Sequence, residues 1–98
     1  MKLSVIIVSF NVRAELHHCL DALETQLDKQ HSEIVIIDNA STDDTGEMVQ
    51  TRFSEVVFHQ NAENIGFAEA NNIGENLPSG EYLIMLNPDT FPLNVALN

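Results

Sequence analysis

Glu81-Tyr82-Leu83-Ile84-Met85-Leu86-Asn87-Pro88-Asp89-Thr90 decides how the rest of the chain is read. Tyr82 to Leu86 is an unbroken apolar run of strand length, which predicts a strand buried on both faces of a parallel sheet. It stops at Asn87-Pro88-Asp89. Proline cannot donate to a strand ladder and pushes the residue before it into extended backbone, so the polar pair projects from the carboxyl end of the strand. Ligands of open parallel sheets bind at that end. A carboxylate placed there, in a strongly acidic chain, points to a metal ion before a bare anion.

Working outward, two earlier segments repeat the pattern. Leu3 to Ser9 is rich in β-branched residues and apolar on both faces, and Glu33 to Asp38 is four aliphatics ending on an aspartate. Val56 to His59 predicts a third strand. Leu16, Cys19, Leu20, Leu23 and Leu27 fall at helical spacing, which predicts a helix from Arg13 to Leu27 with Asn11 as its cap. Met48, Val49 and Phe53 predict a shorter helix after the Asn39 to Asp44 loop, with Ser41, Asp43 and Asp44 as capping candidates. Ile65 to Asn76 permits a third helix, and Pro78-Ser79-Gly80 turns the chain into the opening stretch.

The order β-α-β-α-β-α-β predicts one Rossmann-like domain over residues 1–98, a three-layer α/β/α with a parallel sheet. Right-handed crossovers carry the first three strands one way across the sheet and return the fourth to the far side of the first, giving strand order 3-2-1-4. The switch point then lies between strands one and four. Ser9-Phe10-Asn11 and Asn87-Pro88-Asp89 face one crevice, with Asp38 beside them.

Charge narrows the partners. Four Lys and Arg against fifteen Asp and Glu give a net charge of -11, which argues against sequence-independent binding to nucleic acid or anionic membranes. A phosphate ligand would be neutralised by backbone N–H groups, helix N-termini or a divalent cation. The lone Cys19 rules out an internal disulfide and lies on the apolar helix face as a packed thiol. His17 and His18, off or beside that stripe, read as solvent-facing. Asn11 and Arg13 cut the first apolar run too early for a signal peptide or membrane span, so a cytoplasmic protein is expected. Asn39-Ala40-Ser41 matches a glycosylation acceptor only formally.

Four segments together, Val5 to Asn11, Asp38 to Asp43, Asn64 to Asn72 and Leu86 to Thr90, resemble the family 2 glycosyltransferases in order and spacing. The resemblance covers essentially the whole chain and corresponds to the amino-terminal, nucleotide-sugar-binding half of a GT-A type domain. It implies that Ser9, Phe10 and Asn11 line the nucleotide of a UDP- or dTDP-sugar and that Asp38 accepts a hydrogen bond from a pyrimidine imide. Asn39, Ser41 and Asp43 would border the base and ribose, while Asn64, Gly66, Phe67, Asn71 and Asn72 would approach the ribose and diphosphate. Asp89 would be the surviving member of the family's Asp-x-Asp motif and hold Mg²⁺ or Mn²⁺; its first position is Asn87 here, a departure that weakens the metal site. The Asn-Pro-Asp form is similar to that of rhamnosyltransferases and surface-polysaccharide enzymes. The acceptor-binding half, for a saccharide or lipid-linked acceptor, and the catalytic base of an inverting displacement are expected beyond Asn98, so the chain alone should not turn over. In the full-length protein the inner face of the membrane is an expected place of attachment. Strand four would leave an apolar edge that invites self-association.

Two other classes compete with this reading. A non-catalytic nucleotide-binding module would keep the crevice without the chemistry. A receiver-like signalling domain would want an acidic pair after strand one, where this chain has Ser9-Phe10-Asn11.

Overall fold

The computed structural model describes residues 3–28, 30–76 and 82–88. Its four strands are β1 (Leu3–Ser9), β2 (Ser32–Asp38), β3 (Val57–Gln60) and β4 (Tyr82–Leu86). Between them lie α1 (Arg13–Gln26), α2 (Thr45–Arg52) and α3 (Phe67–Asn76). The strands form one sheet of order β3-β2-β1-β4, and every pairing is parallel. The predicted α/β/α fold and strand order are both present.

The layers follow from the period of two in the central strands. Val5 and Ile7 of β1 face one way and pack with Ile36, with Leu16, Cys19, Leu20 and Leu23 of α1, and with Met48 and Val49 of α2. Ile6 faces the other way, joining Val35, Ile37 and Ala70 of α3. Both faces of β1 and β2 are therefore covered, which is why their sequences are continuously aliphatic rather than alternating. Each such aliphatic side chain, removed from water, contributes about 1.5–3 kcal/mol before chain entropy is subtracted. Cys19 is buried in this layer, and burial pushes its thiol up to about 11. Gly74 of α3 lies so close to the sheet that a methyl group in its place would meet Ile6 Cγ2 at 2.5 Å.

Four expectations need correction. β4 is a strand, but it is not buried on both faces: Tyr82, Leu83 and Met85 are 55%, 44% and 40% exposed. It pairs with β1 alone and forms the edge of the described sheet, so an apolar run announced the strand without announcing its cover. Asn11 does not cap α1. Val12 occupies that position without a side-chain cap, and Asn11 takes a left-handed conformation with φ 52°. His17 is half-buried, its ring edge-on to Phe53 at 5.3 Å between centroids. The third strand is shifted by one residue, because the β2 register runs from Val35 opposite Val57 to Asp38 opposite Gln60.

Candidate functional site

Parallel register brings four strand ends to one rim. Ser9 pairs with Asp38 and Asp38 with Gln60, while Ile7 pairs with Leu86, two residues before Pro88. Whatever follows these strands is gathered at the carboxyl edge of the sheet.

Asp38 is the centre of the rim and is fully buried. Its Oδ1 accepts from Ser9 Oγ at 2.7 Å and from Ser41 Oγ at 2.6 Å, and its Oδ2 accepts from the Ser41 N–H at 2.8 Å. A carboxylate deprived of water needs such donors, and here it has three. Ser41 Oγ in turn accepts from the Asn11 N–H at 2.8 Å, and Asn11 Oδ1 accepts from the Thr42 N–H at 2.8 Å. The loops after β1 and β2 are thus tied to each other through Asp38 and Asn11.

Asn39 plays the same part toward the loop after β3. The residue is 3% exposed, its Oδ1 accepts from Asn61 Nδ2 at 2.8 Å, and its Nδ2 donates to the Gly66 carbonyl at 3.1 Å. An amide so enclosed is no glycosylation acceptor in the folded chain. Gly66 has φ 88° with nothing near its missing side chain, so its conformation and not its size calls for glycine. Asn64 Oδ1 accepts from the Gly66 N–H at 2.8 Å, and the Gly66 carbonyl receives the Ala70 N–H, opening α3. Ala40 sits at φ 65°, which for an alanine costs about 1–2 kcal/mol; strain of this kind gathers at functional rims.

Asp43 lies between two helices. Its Oδ2 accepts from the Arg13 N–H at 3.0 Å and its Oδ1 from the Thr45 N–H at 3.2 Å, with the Thr45 hydroxyl on the same oxygen. Burial works to raise its pKa, but the hydrogen bonds from Thr45 and Arg13 prevail and hold the carboxyl below the usual carboxylate value.

In front of this frame is an open cleft of about 310 Å³, at the lower end of the range for ligand pockets. Ser9 and Phe10 line it from β1, Asn39 from β2, Asn64, Gly66 and Phe67 from the entry to α3, and Asn87 with Pro88 from the end of β4. Phe10 and Phe67 show 47% and 59% of their surface, and no Lys or Arg is among the described lining residues. Asn11, Asp38, Ser41 and Asp43 stand outside the lining and build its support. Asn71 and Asn72 lie further along α3, also outside it. Asp89 falls outside the described residues, as does Glu81. Among the described residues no three His, Cys, Asp or Glu side chains form a metal-sized cluster.

Sequence reading missed Val8 and Val12 in the lining, and missed Asn61. It also missed a second, very open hollow between Ala40, Ser41, Gln60, Asn61 and Ala62. The signal for that region was available: β3 ends level with Asp38, so the residues after it had to reach the same rim. A smaller apolar hollow of about 140 Å³ lies at the opposite end of the sheet, between Leu20, Leu27, Ile34 and Phe53, but no comparable set of amide side chains converges there.

An open parallel sheet whose cleft sits at the switch between β1 and β4 defines an α/β domain of the ligand-binding, doubly wound class. The family model for glycosyl transferase family 2 matches residues 4–97, and the chain belongs to that family. Among curated proteins it is 37% identical over 91 residues to glycosyltransferase GlyA of Streptococcus pneumoniae, an alignment covering 90% of this chain and 13% of GlyA. It is 28% identical to the poly(ribitol-phosphate) beta-glucosyltransferase of Bacillus spizizenii, covering 99% of this chain and 16% of that protein. The chain thus spans less than a fifth of either relative's length. Among solved structures, S. aureus TarS 1-349 in complex with UDP-GlcNAc superposes with a TM-score of 0.83 at 27% identity, over 91% of this chain and 27% of that one. The mannosyltransferase PcManGT of Pyrobaculum calidifontis, in complex with GDP-Man and Mn2+, gives 0.81 at 26% identity, over 90% and 27%. The GT-A arrangement is common to these structures and to this chain.

Proposed function

We propose that the chain forms the nucleotide-sugar-binding half of an inverting glycosyltransferase, with a UDP- or dTDP-sugar held in the cleft between the carboxyl ends of β1 and β4. The cleft carries the reading: segments far apart in sequence converge there with two exposed phenylalanines, several amide groups and, among the described residues, no cationic side chain. Aromatic faces suit a nucleobase, and amides with a close-approaching glycine backbone suit ribose hydroxyls and phosphate oxygens. UDP-GlcNAc in TarS and GDP-Man in PcManGT support the ligand class.

In this reading Asp38 acts on the nucleotide through the residues it holds, because its carboxylate is enclosed and already accepts three hydrogen bonds. The diphosphate brings negative charge to a chain that already carries -11, and a divalent cation, Mg²⁺ or Mn²⁺, offsets it. Asn87 presents an amide at the cleft, and Asp89 would add a carboxylate. Such hard oxygen donors fit these ions when the diphosphate supplies further ligands. When bound, the ion supplies charge neutralisation for the departing nucleoside diphosphate. The Mn2+ in PcManGT supports this choice. The acceptor is a saccharide or lipid-linked surface polymer, bound with the catalytic base by parts of the protein other than the residues described. We place the protein in the cytoplasm, at the inner face of the membrane when full-length, and we propose that the exposed edge of β4 pairs with a second copy.

Calorimetric titration with UDP, dTDP and GDP, each with and without Mn²⁺, tests the assignment. The expected result is saturable binding of a pyrimidine diphosphate that tightens about tenfold with the ion, equivalent to about 1.4 kcal/mol. No binding, or binding indifferent to the base and to the ion, contradicts it.

A further inference from the structure

We propose that Asp43 is a positioning residue for the cleft: one carboxylate holds the first amides of both α1 and α2 and so fixes the loop that presents Phe10. The proposal's consequence for affinity rests on the nucleotide reading above; its structural consequence does not.

Neither helix has a cap of its own. Val12, at the start of α1, has no side-chain oxygen, and Asp44, at the start of α2, is left-handed with φ 64° and makes no side-chain cap bond. The first N–H groups of a helix need acceptors. Asp43 supplies them on both sides, accepting the Arg13 N–H at 3.0 Å from a helix 30 residues away in sequence and the Thr45 N–H at 3.2 Å from its own. Its negative charge also suits two positive helix ends at once.

The contact with Arg13 completes a short ladder between the loops after β1 and β2. The Asn11 N–H reaches Ser41 Oγ, the Thr42 N–H reaches Asn11 Oδ1, and the Arg13 N–H reaches Asp43 Oδ2. Phe10 stands immediately before the ladder and Val12 within it, and both line the cleft. Asp43 does not line the cleft, and both of its oxygens accept hydrogen bonds from within the chain. Its influence on a ligand therefore runs through the loop that presents Phe10.

The test uses Asp43→Asn, which preserves volume but turns one acceptor into a donor, together with Asp43→Ala. Amide hydrogen exchange is read along the whole chain, and UDP affinity is measured in the presence of Mn²⁺. Exchange at Asn11, Arg13 and Thr45 should rise about tenfold or more, as for a lost cap, while the central amides of β1 and β2 stay protected. UDP affinity should fall about tenfold in the Phe10 background and change little further when Phe10→Ala is already present. Unchanged exchange at Asn11 and Arg13 overturns the proposal. So does a rise spread evenly over β1 and β2 in both variants, which marks general destabilisation. An equal affinity loss with and without Phe10 also overturns it, because that is the mark of direct contact with the ligand. If the parent chain does not bind UDP, the nucleotide reading fails, and the exchange at residues 11 and 13 alone decides for or against Asp43.

Discussion

Asp38 and Asp43 stand five positions apart, one at the end of β2 and the other on the loop that follows it, yet they hold different things. Asp38 is sealed beneath the rim and collects two hydroxyls and an amide, so its removal strands several polar groups at once. Asp38→Ala should destabilise the fold by about 3 kcal/mol in urea unfolding, since each buried group left without a partner costs about 1–3 kcal/mol. A loss below about 0.5 kcal/mol, typical of a surface change, would contradict this account of the rim. Asp43 is instead legible through pH. Its hydrogen bonds outweigh the effect of burial and lower its folded pKa from 3.8, so the folded chain takes up this proton less readily than the unfolded chain. The resulting stability is present above the unfolded value and is lost as pH falls through the lower, folded one. Between about pH 5 and about pH 3 the parent chain should therefore lose more unfolding free energy than Asp43→Asn does. Equal losses in the two proteins would show that Asp43 contributes nothing through its charge.

At the scale of single elements, packing decides what propensity leaves open. Gly74 sits inside α3, where alanine would ordinarily favour the helix by about 1 kcal/mol. Here the added methyl would meet Ile6 Cγ2 at 2.5 Å and Ile37 Cγ1 at 3.4 Å. Ile6 is fully buried and β-branched, so it has little freedom to yield, and overpacking of this sort costs about 1–3 kcal/mol. Gly74→Ala should be destabilising by about 1 kcal/mol in chemical denaturation, and a gain in stability would show that α3 can lift from the sheet without cost. This glycine also shows where sequence reading stops. The aliphatic runs of β1 and β2 and the leucine spacing of α1 announced themselves, because burial on a sheet or helix face leaves a period. Gly74 left none: a close approach between α3 and Ile6 is a fact about two elements. The same holds for α1, whose start was assigned to nearby Asn11 but whose first amide is met by Asp43 from the next loop. Gly66 was legible as a left-handed position from its type alone, whereas Asn64, read the same way, is not left-handed and instead accepts the Gly66 N–H; the enclosure of Asn39 by Asn61 and Gly66 depended on three separate chain segments.

For the molecule as a whole, the strand order was deducible because right-handed crossovers leave few alternatives, and it placed the cleft correctly between β1 and β4. The burial of β4 was not deducible, since an apolar run reads the same whether or not anything covers it. Exposed Leu83 and Met85 on the edge strand of the described sheet are expected to draw copies together despite the acidic charge. Sedimentation velocity should show association that rises with concentration and disappears in Leu83→Lys/Met85→Lys; a monomer at every concentration would count against it. The cleft lies at the carboxyl ends of β1 and β4, and amide chemical shifts followed during titration with UDP and Mg²⁺ locate the nucleotide. Saturable shifts centred on Phe10, Asn64 to Phe67 and Asn87 are expected. Shifts centred instead on the apolar hollow near Leu20, Leu27 and Phe53, or none that saturate, would contradict this placement.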